Sequence, residues 1–219
     1  MRANVRKMMA VSAVTLAILS GSHAVAFAET TDPTPAGGGE LQPGPPPEEG
    51  ENGFTPASEQ EAELPTTTGK PSEMPAAEHC AAKNVYKPTA NLGRKHEGIG
   101  IAQSNYNDAS RTLRSWFKAE VGGEVKLTHS GELKASAGVV VAELEAKYSV
   151  DLSVSVTAKM GNEIQIDTPP KKTTYAKYGV WRLKNTGTSY TIYSNCRTSA
   201  KSTVTTLTPW YVGWYVWER

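Results

Sequence analysis

The sequence predicts a mainly β protein, an antiparallel sandwich or sheet with one short helix, preceded by an export signal and a disordered, acidic, proline-rich linker. Three observations carry that expectation. Long stretches after Cys80 alternate apolar and polar residues with a period of two, which is the pattern of a half-buried strand. Composition breaks sharply at Cys80, where an acidic segment rich in proline gives way to a basic one rich in tyrosine and tryptophan. The only two cysteines, Cys80 and Cys196, both lie after that break.

The first 28 residues read as a signal peptide. Arg2, Arg6 and Lys7 supply a positive start, Met8 to Leu19 an apolar run, and Ala26-Phe27-Ala28 a small-x-small site, so cleavage is expected between Ala28 and Glu29. The run is too short for a membrane-spanning helix. Residues 29–79 hold eleven acids against Lys70 alone and ten of the fourteen prolines. Such a segment buries too little apolar surface to offset the entropy of ordering it. As a flexible chain it would span on the order of 40 Å. Three roles are open to it: a spacer, a linear peptide anchored by Leu41, Phe54 and Leu64, or an acidic tail that folds back and masks the basic domain. Leu64-Pro65-Thr66-Thr67-Thr68-Gly69 has one residue too many for a sortase signal and no apolar tail behind it.

Residues 80–219 suffice for one domain with a real core. Their net charge is +8, against −10 for residues 29–79 and +1 for the whole chain. In an exported chain the two cysteines are expected to pair, closing a loop that stabilises by about 4 to 5 kcal/mol in the chain-entropy model. Val125 and Leu127, then Leu133 and Ala135, alternate on either side of Ser130-Gly131 and predict a hairpin. Ala137, Val140, Val141, Leu144 and Tyr148 share one helical face, with Glu143 and Lys147 spaced as an i,i+4 ion pair, so a short helix is expected over 137–148. Residues 106–117 fit a helical turn or a strand equally well. The cleanest alternation runs from Val150 to Met160 and resumes after Gly161-Asn162 at Ile164 and Ile166. Gly179 to Leu183, a turn at Asn185-Thr186-Gly187, and Tyr190 to Tyr193 predict another hairpin, with closing strands at 202–207 and 210–217.

Ten of the seventeen aromatic residues lie between Tyr175 and Trp217. Either the last strand is covered on both faces, or Tyr211, Tyr215 and Trp217 form one face of an aromatic platform for sugars or a protein partner. Lys171, Lys172, Lys177, Arg182 and Lys184 are the candidate basic rim of that platform. No nucleophile elbow, carboxylate pair or metal-ligand spacing frames His96, His129, Asp151 or Asp167, so no enzymatic activity, cofactor or metal is expected. The positive charge is spread over the domain and the chain is exported, which argues against nucleic acid as a partner.

Between Val150 and Lys184, the alternating serine- and threonine-rich stretch followed by Ile164-x-Ile166-x-x-Pro169-Pro170-Lys171-Lys172 resembles the strand, proline turn and lysine of aerolysin-type β pore-forming proteins. That resemblance implies that residues 149–168 rearrange into a membrane hairpin. The departures are a missing glycine after Pro170 and little chain left for a receptor-binding lobe. The order of signal, polar linker and short β domain ending in a tryptophan-rich strand resembles small exported proteins of streptomycetes and other actinobacteria, some of which serve as adaptors in antibacterial toxin particles. The expectation is thus a secreted, non-enzymatic binding or adaptor module. Its partner would be another secreted protein or an anionic cell-envelope component; the alternative is a small pore former acting on membranes.

Overall fold

The computed structural model describes residues 41–46, 53–60, 64 and 79–219. The signal segment, its cleavage site at Ala28 and Glu29, and most of the acidic linker lie outside the described residues. In chain order the elements are β1 (Leu41–Gln42), β2 (Thr55–Pro56), β3 (Lys83–Gly98), β4 (Gln103–Tyr106), β5 (Leu113–Lys118), β6 (Gly123–Lys126), β7 (Thr128–Ser130), α1 (Ala137–Tyr148), β8 (Ser155–Ala158), β9 (Glu163–Thr168), β10 (Thr173–Ile192) and β11 (Ser202–Glu218). The fold is mainly β with one short helix and antiparallel pairing throughout, except that β1 joins β11 in parallel.

Three long strands form the frame. β10, 20 residues long, pairs with β11 on one side and with β3 and then β4 on the other. The segment expected to fold as a hairpin at Asn185-Thr186-Gly187 is therefore one continuous strand. Those three residues are polar and small for a packing reason. Asn185 is buried and accepts the Tyr86 hydroxyl at 2.9 Å, while a side chain at Gly187 would collide with the Tyr86 ring. The closing strands at 202–207 and 210–217 likewise merge into β11. A register shift opposite Trp181 and Arg182 leaves Trp210 without a Cα partner on β10. Such a β-bulge bends and twists the strand.

The buried set of β10 changes phase midway. Ala176, Tyr178, Val180 and Arg182 are buried on one face, then Leu183, Asn185, Gly187, Ser189 and Thr191 on the other. The first face, called the back, lies under β5, β6, β8 and β9, with Phe117, Val125, Val156, Ala158, Ile164 and Ile166 packed against it. The second face, called the front, is covered in its far half by α1 through Val140, Val141 and Leu144, together with Tyr86, Leu127 and Val204. β7 passes from one covering layer to the other along the β11 edge, pairing at Thr205, Thr206 and Leu207.

The helix spans 137–148 as the periodicity predicts, and its apolar face is buried. Lys147 Nζ donates to the carbonyls of Pro88 (2.7 Å) and Thr89 (3.2 Å) on β3. At the other end of the helix the Ala137 N–H donates to Ser58 O at 2.9 Å, satisfying one of the donors a helix start leaves open. The hairpin expected around Ser130-Gly131 does not form, because β6 pairs with β8, β7 pairs with β11, and Leu133 and Ala135 sit outside any strand. In the open stretch 106–117, the chain adopts a loop and then strand β5.

Cys80 and Cys196 are bonded, with Cα atoms 5.1 Å apart. Cys196 lies in the turn joining β10 to β11 rather than in a strand. Two short pieces of the acidic segment belong to the fold, so the composition break at Cys80 is not its edge. β1 adds to β11, and β2 adds to β7. Of the expected anchors, Leu41 lies in β1 and stays half exposed, while Phe54 and Leu64 are partly buried.

Candidate functional site

Two features concentrate chemistry: the ribbon beneath the back face, and the aromatic half of the front face. The ribbon is built from four short strands that act as one. Leu113 lies opposite Thr168, Lys118 opposite Glu163, Gly123 opposite Ala158 and Lys126 opposite Ser155. The register is thus constant from end to end, although both legs are interrupted at 119–122 and 159–162. Even there the ladder continues in part, with Ala119 N–H donating to Asn162 O and Gly161 N–H to Ala119 O, both at 2.8 Å.

One side of the ribbon is apolar and packed on the frame: Phe117, Val125 and Ala158 are buried and Val156, Ile164 and Ile166 partly buried, with Ser115 and Thr168 buried at the base. The other side is charged and exposed. It carries the ion pairs Arg114–Asp167 (3.3 Å) and Lys118–Glu163 (2.8 Å), with Trp116 the one large ring among them. Within 149–168, β8 and β9 do not pair with each other; they are two parts of a single leg whose partner is 113–126. Residues 150–154, which alternate as cleanly as the rest, carry no strand.

The ribbon is folded back beneath the sheet at a hinge organised by Asn107. This side chain, 2% exposed, donates to the carbonyls of Arg111 (2.8 Å), Thr168 (2.9 Å) and Pro169 (3.2 Å). Beside it the Lys171 ammonium is bound to Asp108 at 2.7 Å. Three side chains fasten the ribbon's interruption to the frame. The Tyr178 hydroxyl donates to Lys159 O (2.9 Å), Trp214 Nε1 to Asn162 Oδ1 (2.8 Å), and Gln103 Nε2 to Lys118 O (2.7 Å).

On the front face, three glycines fall in one row across the frame, Gly98, Gly179 and Gly213. Their missing side chains leave a trench that neighbouring groups fill. A side chain at Gly179 would meet the Glu97 carbonyl and the His96 ring, one at Gly98 would meet Lys177, and one at Gly213 would meet Trp181. The imidazole of His96 crosses the trench, and its Nε2–H donates to Gly213 O at 3.2 Å. Its Nδ1 is buried without a partner. Burial, reinforced by Lys177, lowers the His96 pKa to about 4 against the opposing hydrogen bond to Gly213.

The expected platform residues Tyr211, Tyr215 and Trp217 do share this face, joined by Tyr175 and Trp181. Tyr175 stacks on Trp217 at 5.2 Å, and Trp181 contacts both Tyr211 and Tyr215. Tyr215 and Trp217 are buried, however, and the half-exposed rings are Trp181, Tyr211 and Tyr175. Arg94 lies over Trp181 at 5.3 Å and donates to the Tyr211 hydroxyl at 3.0 Å.

The basic rim does not assemble as expected. Arg182 is 3% exposed on the back face, where it meets Glu97 at 2.9 Å and Thr128 Oγ1 at 3.3 Å. Burial pushes its pKa down to about 10 and pushes that of Glu97 up. Lys171 and Lys172 sit exposed at the hinge, and only Lys177 reaches the aromatic face. Asn107 and Trp181 are site residues absent from the sequence reading, and His96 enters it only as a histidine without a catalytic frame. The glycine spacing on β10 and β11 is the sequence trace of the trench that seats His96, and it becomes a row only when the registers are known.

Among the described residues no group of three or more His, Cys, Asp or Glu side chains could hold a metal, and no helix is long and apolar enough to cross a membrane. Compared with models of protein families and with curated proteins, the chain matches none.

Proposed function

We propose that this is an exported, non-enzymatic protein that inserts its ribbon into membranes. The observation that carries the reading is an amphipathic ribbon of constant register, folded back between the two strands it would otherwise extend. β4 leads into one leg and β10 follows the other, and Asn107 N–H to Lys172 O (2.9 Å) is the last rung before the fold-back. On the leg after β4 the apolar side uses odd-numbered residues, as do the β4 residues facing back. On the leg before β10 it uses even-numbered residues, as does the back face of β10. Straightening the hinge would therefore continue the back face as the ribbon's apolar side, with the charged side remaining opposite.

Each leg of about 14 residues exceeds the 9 to 11 that a transmembrane strand needs. The ion pairs Arg114–Asp167 and Lys118–Glu163 would then line a polar interior. Release requires α1 to leave the front face, because residues 128–154 connect the ribbon's far end to that core. Uncovering Val140, Val141 and Leu144 costs several kcal/mol, on the scale of about 1.5 to 3 kcal/mol per large side chain, which holds the folded-back form until a membrane compensates.

The test is dye release from vesicles by residues 29–219, with an environment-sensitive fluorophore on Ile164→Cys or on Gln165→Cys. Leakage with a blue-shifted, brighter signal at 164 but not at 165 is the expected result. Sealed vesicles in neutral and anionic lipid, with neither label responding, would overturn it.

A second reading, an extracellular binding or adaptor module for a secreted protein or an anionic cell-envelope polymer, is favoured by the half-exposed Trp181, Tyr211 and Arg94 cluster. It becomes the better account if vesicles stay sealed, and Trp181→Ala must then abolish retention on the partner.

A further inference from the structure

The ribbon's apolar side is uncovered at its interruption, residues 119–122 and 159–162. Lys118 lies opposite Glu163 on one side of the break and Gly123 opposite Ala158 on the other. Counted inward from either, that register sets Val121 opposite Met160. Both also fall on the apolar side by parity, odd on the first leg and even on the second. Yet Val121 is 47% exposed and Met160 67%, whereas Ala119 and Ala158 beside them are buried.

A third apolar side chain joins them from the loop between β3 and β4. Ile99 turns inward, its N–H donating to Tyr178 O at 2.7 Å and its side chain packing on the back-face core. Two residues on, Ile101 points the other way and is 81% exposed. The loops abut: a side chain at Gly100 would collide with Val121, and one at Gly122 with the backbone of Ala158 and Met160. Ile101 and Met160 are the two most exposed large apolar side chains among the described residues. Exposed apolar groups gathered from separate loops mark an interaction site.

We propose that Ile101, Val121 and Met160 form the contact by which the folded-back protein first docks on an anionic lipid bilayer. Continuity and charge select that occupant. Val121 and Met160 belong to the side of the ribbon that the membrane reading puts into lipid, and the inference rests on that reading. Lys159 adjoins Met160, and the Lys177 side chain lies against Gly98, while Glu120 is the one acid in 98–102, 119–122 and 159–162. Residues 80–219 as a whole carry +8. Shallow burial of apolar groups, joined to attraction between lysines and anionic headgroups, holds a protein at a bilayer surface without spanning it. Docking at the interruption brings lipid to the ribbon before α1 has left the front face. Pairing of Val121 with Met160 would then close the gap in the ladder.

The test is co-sedimentation of residues 29–219 with vesicles of phosphatidylcholine and phosphatidylglycerol, with dye release read on the same mixtures. Three chains are compared: the unaltered one, Ile101→Ser, and Ile101→Ser combined with Met160→Ser. Ile101 lies outside the ribbon, so its replacement spares the inserting side, and its exposure keeps the fold native by circular dichroism. Association is expected to weaken by about ten-fold or more in the single variant and further in the double one. Binding by the unaltered chain without leakage, lost in the variants, would support docking and overturn insertion. Equal association and equal leakage by all three chains would overturn docking and leave insertion standing. A failure of vesicles to retain the unaltered chain would overturn docking too. So would a lipid-free dimer, seen by sedimentation velocity, that Ile101→Ser dissolves, because the patch would then belong to a second copy.

Discussion

His96 is held as a neutral imidazole by a trench that only glycines at 179 and 213 permit. Its pKa of about 4 lies below the ordinary value of 6.5. The unfolded chain therefore binds this proton first as pH falls. The stability His96 contributes is complete above pH 6.5 and is lost progressively as pH drops toward 4. Between pH 7 and pH 4.5 the loss is about 2 to 3 kcal/mol from this residue. Guanidinium unfolding at the two pH values measures it, and His96→Gln is expected to flatten the slope while lowering stability at neutral pH. An unchanged slope in the variant would locate the titration elsewhere. Nothing near His96 in sequence announces this; Gly213, its acceptor, is 117 residues away.

Among the elements, the ones legible in the sequence are those whose burial follows a single local rule. α1 buries one stripe from end to end, so its bounds follow from spacing alone. β10 obeys the period-two rule with a change of phase at Arg182 and Leu183, because different layers cover its two halves. Read locally, that change together with the polar run at 185–187 looks like a turn. The ribbon was half legible for a related reason. Its 155–168 leg alternates clearly, but its partner leg is broken at 119–122, and pairing across some 40 residues leaves no local sign.

The hinge that folds the ribbon back depends on Asn107, a residue type common in loops and conspicuous only once its three carbonyl partners are seen. Asn107→Ala leaves those buried carbonyls short of a donor and should cost about 1 to 3 kcal/mol. Hydrogen exchange should then accelerate in 113–126 and 155–168 before it does in β10. Uniform acceleration across the sheet would show that the hinge has no separate stability.

For the molecule as a whole, the disulfide closes the longest covalent loop, 116 residues. It joins the start of β3's lead-in to the turn between β10 and β11, holding the far ends of the three frame strands together. Reduction is expected to remove up to about 4 to 5 kcal/mol, read as a lower guanidinium midpoint with the same far-ultraviolet circular dichroism in buffer. A midpoint unmoved by reduction would mean that the sheet alone confines those ends. The expected class, a disulfide-closed β domain, was legible because alternation and cysteine count report on class. Pairing partners were not, since almost every rung of the frame joins residues far apart in sequence.

The position of β11 in the chain order sets a timetable. β1, β7 and β10 all find their partner in this last strand, and β1 precedes it by about 160 residues. None of these ladders can close while Ser202 and its successors are still being made. Pairing of such long range is slow to nucleate. A newly made chain is thereby kept open until its last strand is available, and the Cys80–Cys196 bond then closes over strands that are already paired.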